Sequence, residues 1–513
     1  MRENNPIIGA DFPDPDVIRV GDTYYMISTT MHMMPGGVIL RSYDLLHWEV
    51  ASYVFDRLDN TPAQRLEGNQ SIYGKGMWAA SLRYHNGKFY VCFVANDTHK
   101  TYLFQSDRIE GPWKKQIVKG FYHDSSLLFD DDGRVYLVSG NTEIHLTELT
   151  SDLTGPKQDG LHRVIVRDKA HVHLGYEGSH ICKIRGKYYV FFIHWLASGT
   201  ERRAEACFSS DSLEGEFVGK EVLDDDMGFR NQGVAQGGIV DTPDGKWYAV
   251  LFQDRGAVGR VPILVPVHWK DNFPVFGVQG KVPKQIETES LRPGYHYAPI
   301  SASDNFGCEK DATGQVRLHH CWQWNHTPDD SLWSVTERPG HYRIRTGKIC
   351  MDLCSAVNTL TQRMMLPACE ASVTVDGSGL KDGDYAGLCV LQGCYGLIAL
   401  TRRDGRFYLV MAAKEPDDCP GISGGSQSAV EYGCVPMDDC TAVLKVSADF
   451  RNMADRAKFF FKRGRIWQKL GITHQLCYRL DHFMGCRCGL FLYSTERTGG
   501  AADFSEFRFR CPT

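Results

Sequence analysis

Five times in its first 250 residues the chain repeats Gly-x-x-Tyr between strand-forming residues: Gly21–Tyr24, Gly87–Tyr90, Gly133–Tyr136, Gly186–Tyr189 and Gly245–Tyr248. Each copy reads as a tight hairpin. A glycine turn, often with Asp or Asn beside it, leads into a strand rich in aromatic and β-branched residues. The glycines stand 66, 46, 53 and 59 residues apart, a mean of 56, about the length of one four-stranded propeller blade with its loops. Counting back nine residues from the last four glycines reaches Trp78, Asp124, Glu177 and Gln236. In the first copy the acid is Asp14, seven back, a difference of two that keeps the same strand face. In a propeller the innermost strand of each blade lines the channel. These five positions would gather three carboxylates, a tryptophan and an amide at one axial site.

The 513 residues are too many for a single domain. Residues 1–285 hold the repeats and are expected to form an all-β, five-bladed propeller. Residues 286–303 lose the periodicity and carry Ser and Pro, as a linker does. Residues 304–513 show short alternating runs between turn signals, which predict an antiparallel β-sandwich. No long apolar pattern of 3.6-residue period occurs, so helices should be short and few.

A formal net charge of −5 offers no basic footprint for nucleic acid or anionic membranes, and suits a neutral polar substrate. The opening MRENNPIIGADFPDPD lacks the apolar core of a secretory signal, and no run approaches the length of a membrane span. Of 17 cysteines, 3 precede residue 300 and 14 follow it. None of the close pairs Cys350/Cys354, Cys434/Cys440 and Cys486/Cys488 has C-x-x-C spacing, so buried free thiols are expected rather than zinc. A reducing, cytoplasmic location follows as the expectation. Self-association is left open by the sequence.

The acids carry the chemistry. Asp14 lies in Phe-Pro-Asp-Pro-Asp, where two prolines restrict the backbone. Asp124 lies in His-Asp-Ser-Ser-Leu, and Glu177 in Tyr-Glu-Gly-Ser-His, beside a glycine that permits close approach. Cleaving an acetal takes one protonated acid at the leaving oxygen and one ionised carboxylate to activate water. A third carboxylate nearby raises the acid's pKa. A single Asp near a hairpin is ordinarily a turn residue, and Asp130, Asp131, Asp132 and Asp244 read so. Asp11 reads as solvent-facing, and Asp16 is ambiguous. Trp78 fits core packing or sugar stacking. His32, on the loop after the first repeat's strand, is a candidate substrate contact or a satisfied polar residue. His180 alternates away from Glu177 and is left out of the site.

At these residues the sequence resembles glycoside hydrolase family 43, five-bladed propeller enzymes that act on arabinose- and xylose-containing polysaccharides. The matching stretches include NPIIGADFPDPDVIRVGDTYYMIS, GMWAASLRYHNGKFYV, DSSLLFDDDGRVYLV, YEGSHICKIRGKYYVFF and QGGIVDTPDGKWYAVLFQDRGAVGR. The stretch WQWNHTPDDSLWSVTERPGHYRIRTG resembles the C-terminal jelly-roll or concanavalin-like sandwich of the two-domain β-xylosidase and arabinofuranosidase branch. The resemblance implies Asp14 as general base, Glu177 as general acid and Asp124 as pKa modulator. Inversion would place base and acid roughly 6.5–9.5 Å apart. It also implies that Arg260 points at sugar and modulator, with Arg255 as its competitor. Where many relatives carry a His near an axial calcium, this chain has Gln236. Its amide oxygen could ligate calcium or simply hydrogen-bond. No metal ligand is otherwise assigned, and no organic cofactor is expected.

The expected activity is inverting exo-hydrolysis of terminal β-D-xylosyl or α-L-arabinofuranosyl residues from small oligosaccharides, as in xylan degradation. An endo-arabinanase-like enzyme and a sugar-binding propeller without catalysis are the alternatives.

Overall fold

The computed structural model describes residues 2–169, 173–196, 201–307, 316–415 and 429–512. Five four-stranded antiparallel sheets form the blades, four of them from consecutive strands and the first interrupted by the short strand Met33–Met34. Their innermost strands are Asp16–Val20, Met77–His85, Ser126–Phe129, Glu177–Ile184 and Ala235–Asp241. The second strands carry the repeat tyrosines; Tyr24, Tyr136 and Tyr189 are at most 2% exposed, so they are core residues between blades. Helix is confined, among the described residues, to three short 3-10 turns.

The ring closes without exchanging a strand between blades. Arg19 of the first blade donates to the carboxylate of Asp241 in the fifth at 2.7 Å and to its carbonyl at 3.1 Å. The N-terminal strand Arg2–Asn4 pairs with Gln285–Glu287. Asn5 then bonds both the carbonyl and the amide of Leu264. Residues 288–300 lie along the first blade. There Tyr295 donates to Glu49 at 2.5 Å, and the guanidinium of Arg292 sits 4.1 Å from the centre of the Tyr43 ring.

The rest of the chain forms an eight-stranded and a seven-stranded antiparallel sheet around one large apolar core. The edge strand of the larger sheet comes from the propeller: Met33–Met34 pairs with Gln323–Asn325. Thirteen described cysteines are free, most of them buried. Cys394 and Cys477 are bonded to each other, which the expectation of free thiols throughout did not include.

The shorter count to Asp14 has a local cause. In the second and fourth blades the glycine is the second of two turn residues, and the inner strand carries one bulged residue. In the first blade Gly21 is the first turn residue and the strand pairs without a bulge. Each difference removes one position.

Candidate active site

The aligned ends of the inner strands bring the predicted acids to one end of the channel. Asp14 and Asp124 stand two residues before the inner strands of their blades, and Gln236 within its own. All three have left-handed backbones, with φ of 52°, 47° and 57°. Such conformations cost of order 1–3 kcal/mol each for residues with a Cβ and concentrate at functional sites. In the second, fourth and fifth blades a bulge at the same place turns Trp78, Glu177 and Gln236 towards the axis. Glycine is required beside Glu177: Gly178 has φ 66°, and a Cβ there would stand 2.7 Å from the Gln236 side chain.

Asp14 is 6% exposed and held at both carboxylate oxygens. One carboxylate oxygen accepts from the Thr29 hydroxyl at 2.7 Å and the other from Arg260 at 2.8 Å. Arg260 is itself held on all sides. Its backbone amide donates to Asp11 at 2.8 Å, and its guanidinium lies 5.3 Å from the centre of Phe252 and 4.5 Å from that of Phe483. Burial, the largest influence, would lower its proton affinity, but Asp14, Tyr478 and Asp11 together outweigh it and the net shift is upward. Arg260 thus pairs with Asp14, the expected base, and not with the modulator Asp124 as the resemblance implied, while Arg255 packs on Phe229.

Glu177 accepts from the amide of Asn141. Its carboxylate lies 3.6 Å from Nε2 of His123, which is 3.7 Å from Asp124. The His123 imidazole is pushed up to about 9, first by the Asp124 charge and then by Glu177. Asp124 is buried, accepts from the amide of Gly178 at 3.1 Å, and is pushed up to about 7. Burial is the leading cause; His123 pulls the value down, while the charges of Glu177 and Asp14 push it up. Three carboxyl groups thus share one site in different environments, as acid–base division of labour requires.

Trp78 is half-buried, its ring 5.8 Å from both His123 and Phe483. With Met31, Met33 and Met484, the rings of Trp78 and Phe483 make an apolar wall. Phe483 comes from the sandwich, on the segment between strands Ile466–Gln475 and Arg487–Ser494. That segment is tied to the propeller by Gly485 donating to Asp11 at 2.9 Å and Cys486 donating to the carbonyl of Ala257 at 2.8 Å. A Cβ on Gly485 would meet the Val258 carbonyl at 2.1 Å, so only glycine lets the two backbones approach. The second domain therefore walls the site on one side.

Several single-residue readings need correction. Asp11 does not face solvent; it is 2% exposed and bridges Arg260 to Gly485. His32 is 1% exposed, its ring packed 4.6 Å from Tyr73 and 4.9 Å from His326. The pairing of Met33–Met34 with the sandwich draws its loop into the domain seam. His180 was set aside by simple alternation, but the bulge between it and Glu177 breaks that alternation. Its Nδ1 lies 3.1 Å from Asp16, which also pairs with Arg83 at 2.6 Å. Asp130 is more than a turn residue, since Lys183 and Tyr188 both bond it at 2.6 Å. His123 and Asn141 were missed. For His123 the only signal was its place beside Asp124; Asn141 carried none.

Gln236 donates its backbone amide to Glu205 at 2.7 Å. Glu205 is 0% exposed, and burial raises its pKa well above the usual carboxylate range. Calcium takes six to eight oxygen ligands, of which Gln236 offers a side-chain amide oxygen. The described His/Cys/Asp/Glu groups close enough to share an ion are His123, Asp124 and Glu177, whose ligand atoms lie within 4.8 Å of one another. An imidazole in that set suits calcium poorly.

A five-bladed propeller with two differently held carboxyl groups and a third beside them, under an aromatic wall, defines a glycoside hydrolase. The chain belongs to glycosyl hydrolases family 43, whose model matches residues 3–274; the model of the β-xylosidase C-terminal concanavalin A-like domain matches residues 314–510. A β-xylosidase of Formosa agariphila is 30% identical over 98% of this chain and 90% of its own length. A non-reducing-end α-L-arabinofuranosidase of Bacteroides ovatus is 28% identical over 78% of this chain and 76% of its own. Among solved structures, a bifunctional protein of Bacteroides eggerthii superposes with a TM-score of 0.90 at 41% identity over 99% of this chain. This chain spans 64% of that longer one.

Proposed function

We propose that the chain is an inverting exo-glycosidase that releases terminal β-D-xylose or α-L-arabinofuranose from xylo-oligosaccharides or arabinoxylan fragments. The observation that carries this reading is Phe483, which reaches from the sandwich to Trp78 and to the Arg260 that pairs with Asp14, so that the second domain walls the acid site on one side. The names of the relatives agree with it. In this reading Asp14 is the general base. Arg260 and Thr29 hold it oriented, so one of its oxygens takes the proton of the attacking water. Glu177 protonates the leaving oxygen, and Asp124 with His123 sets the charge that Glu177 feels. Trp78 and Phe483 offer faces to the sugar ring. Both sugars carry similar hydroxyls near the scissile bond, so one pocket can accept either.

Hydrolysis of p-nitrophenyl β-xyloside and p-nitrophenyl α-arabinofuranoside, followed by proton NMR of the first-formed anomer, tests the proposal. Release of a sugar with inverted configuration is expected. No release from either glycoside would remove the pentosidase reading, and a retained anomer would overturn the roles of Asp14 and Glu177.

Turnover in this proposal passes through no metal. Dialysis against a chelator is expected to leave kcat unchanged. A loss restored by calcium would show that Gln236 contributes to a cation site after all.

A further inference from the structure

A second concave site lies at the seam between the outermost strand of the first blade, Glu49–Phe55, and the start of the sandwich. It is a cleft of about 610 Å³, within the size range of small-ligand sites, and it shares no residue with the axial pocket. Tyr53, Trp324 and Trp333 line it, all half-buried. The two indoles meet at 4.9 Å with an angle of 51° between their planes, making an angled wall. Each polar edge is already satisfied inside the protein. Trp324 donates to Tyr342 at 3.2 Å, Trp333 to Asp330 at 3.1 Å, and Tyr53 to the carbonyl of His320 at 2.7 Å. The rings are thereby fixed, with apolar surface left for a ligand. On the rim, Arg57 pairs with Asp330, their side chains 37% and 62% exposed. The pair presents a planar fork of donors and a carboxylate to hydroxyl groups, and the lining adds Asp56, Glu110 and Arg317, charges of both signs.

Fixed aromatic faces beside donors and acceptors of both signs match the chemistry of a sugar ring, with apolar C–H faces and a polar equator. We propose that this cleft binds a stretch of pentose polysaccharide, an arabinoxylan backbone, and holds polymer near the axial pocket. The inference rests on the pentosidase reading for the identity of the sugar, but not for the existence of the site.

Affinity electrophoresis in gels containing soluble arabinoxylan, run with excess free xylose to occupy the axial pocket, tests it. The full-length protein is expected to be retarded, and not by dextran. Trp333→Ala should weaken retention about tenfold, a loss of about 1.4 kcal/mol, with kcat/KM on the p-nitrophenyl glycosides unchanged. Asp330→Asn, on the exposed rim, should weaken it severalfold and serves where Trp333→Ala fails to fold. No retardation, equal retardation of both variants, or equal retardation by dextran would each overturn the proposal. Cleavage without retardation would defeat the cleft alone; retardation without cleavage would defeat the pentosidase reading alone.

Discussion

Asp14→Asn is expected to abolish hydrolysis of both pentosides within detection, a fall of about 10²–10⁴ or more, because an amide cannot take the proton of the attacking water. The structure adds a second consequence that the sequence did not suggest. Asp14 and Arg260 have side chains only 7% and 5% exposed. Neutralising the acid leaves a buried guanidinium without its counter-charge, a change that typically costs about 3–5 kcal/mol. The faces of Phe252 and Phe483 and the Phe483 carbonyl still hold Arg260, so the variant should fold with a lowered melting temperature. Circular dichroism and calorimetry would be read beside the rate. A folded variant with near-normal turnover would mean that another group activates the water.

Glu177→Gln makes a different prediction, because the acid matters in proportion to how badly the leaving group needs a proton. With xylobiose the departing sugar oxygen is strongly basic, and kcat should fall by about 10³–10⁴; with p-nitrophenyl xyloside the phenolate leaves nearly unaided, and the loss should be smaller by about an order of magnitude or more. Asn141 can still bond the new side chain through its amide oxygen, so the local geometry should survive. Parallel kcat/KM measurements on the two substrates decide the point. Equal losses on both would take the acid role away from Glu177 and leave it as a binding group.

The blade count, the all-β class and the three carboxylates were legible because each rests on a local rule. A hairpin announces itself by glycine and a strand by alternation, so repeats of one hairpin give equivalent positions on a ring. The count from each glycine worked even for Asp14, whose two missing residues come from turn position and an absent bulge. The same rule failed at His180, where a bulge shifts the register by one residue and reverses the face. Asp11 was misread because its partners, the amides of Arg260 and Gly485, lie 249 and 474 residues away.

By itself the sequence determined that inner strands would recur, that they would carry Asp14, Asp124 and Glu177 at corresponding places, and that family 43 chemistry was to be expected. Those are properties of segments a few residues long, governed by turns and side-chain alternation. Only the tertiary structure decided what surrounds each acid: Arg260 and Thr29 on Asp14, His123 between Asp124 and Glu177, and Phe483 reaching in from the other domain. The Phe483 segment has no repeat and no motif. It docks because an apolar wall, two backbone hydrogen bonds and one glycine match a surface formed more than two hundred residues earlier. Charge and proton affinity in the site follow from those long-range contacts, since burial and neighbouring charges set them.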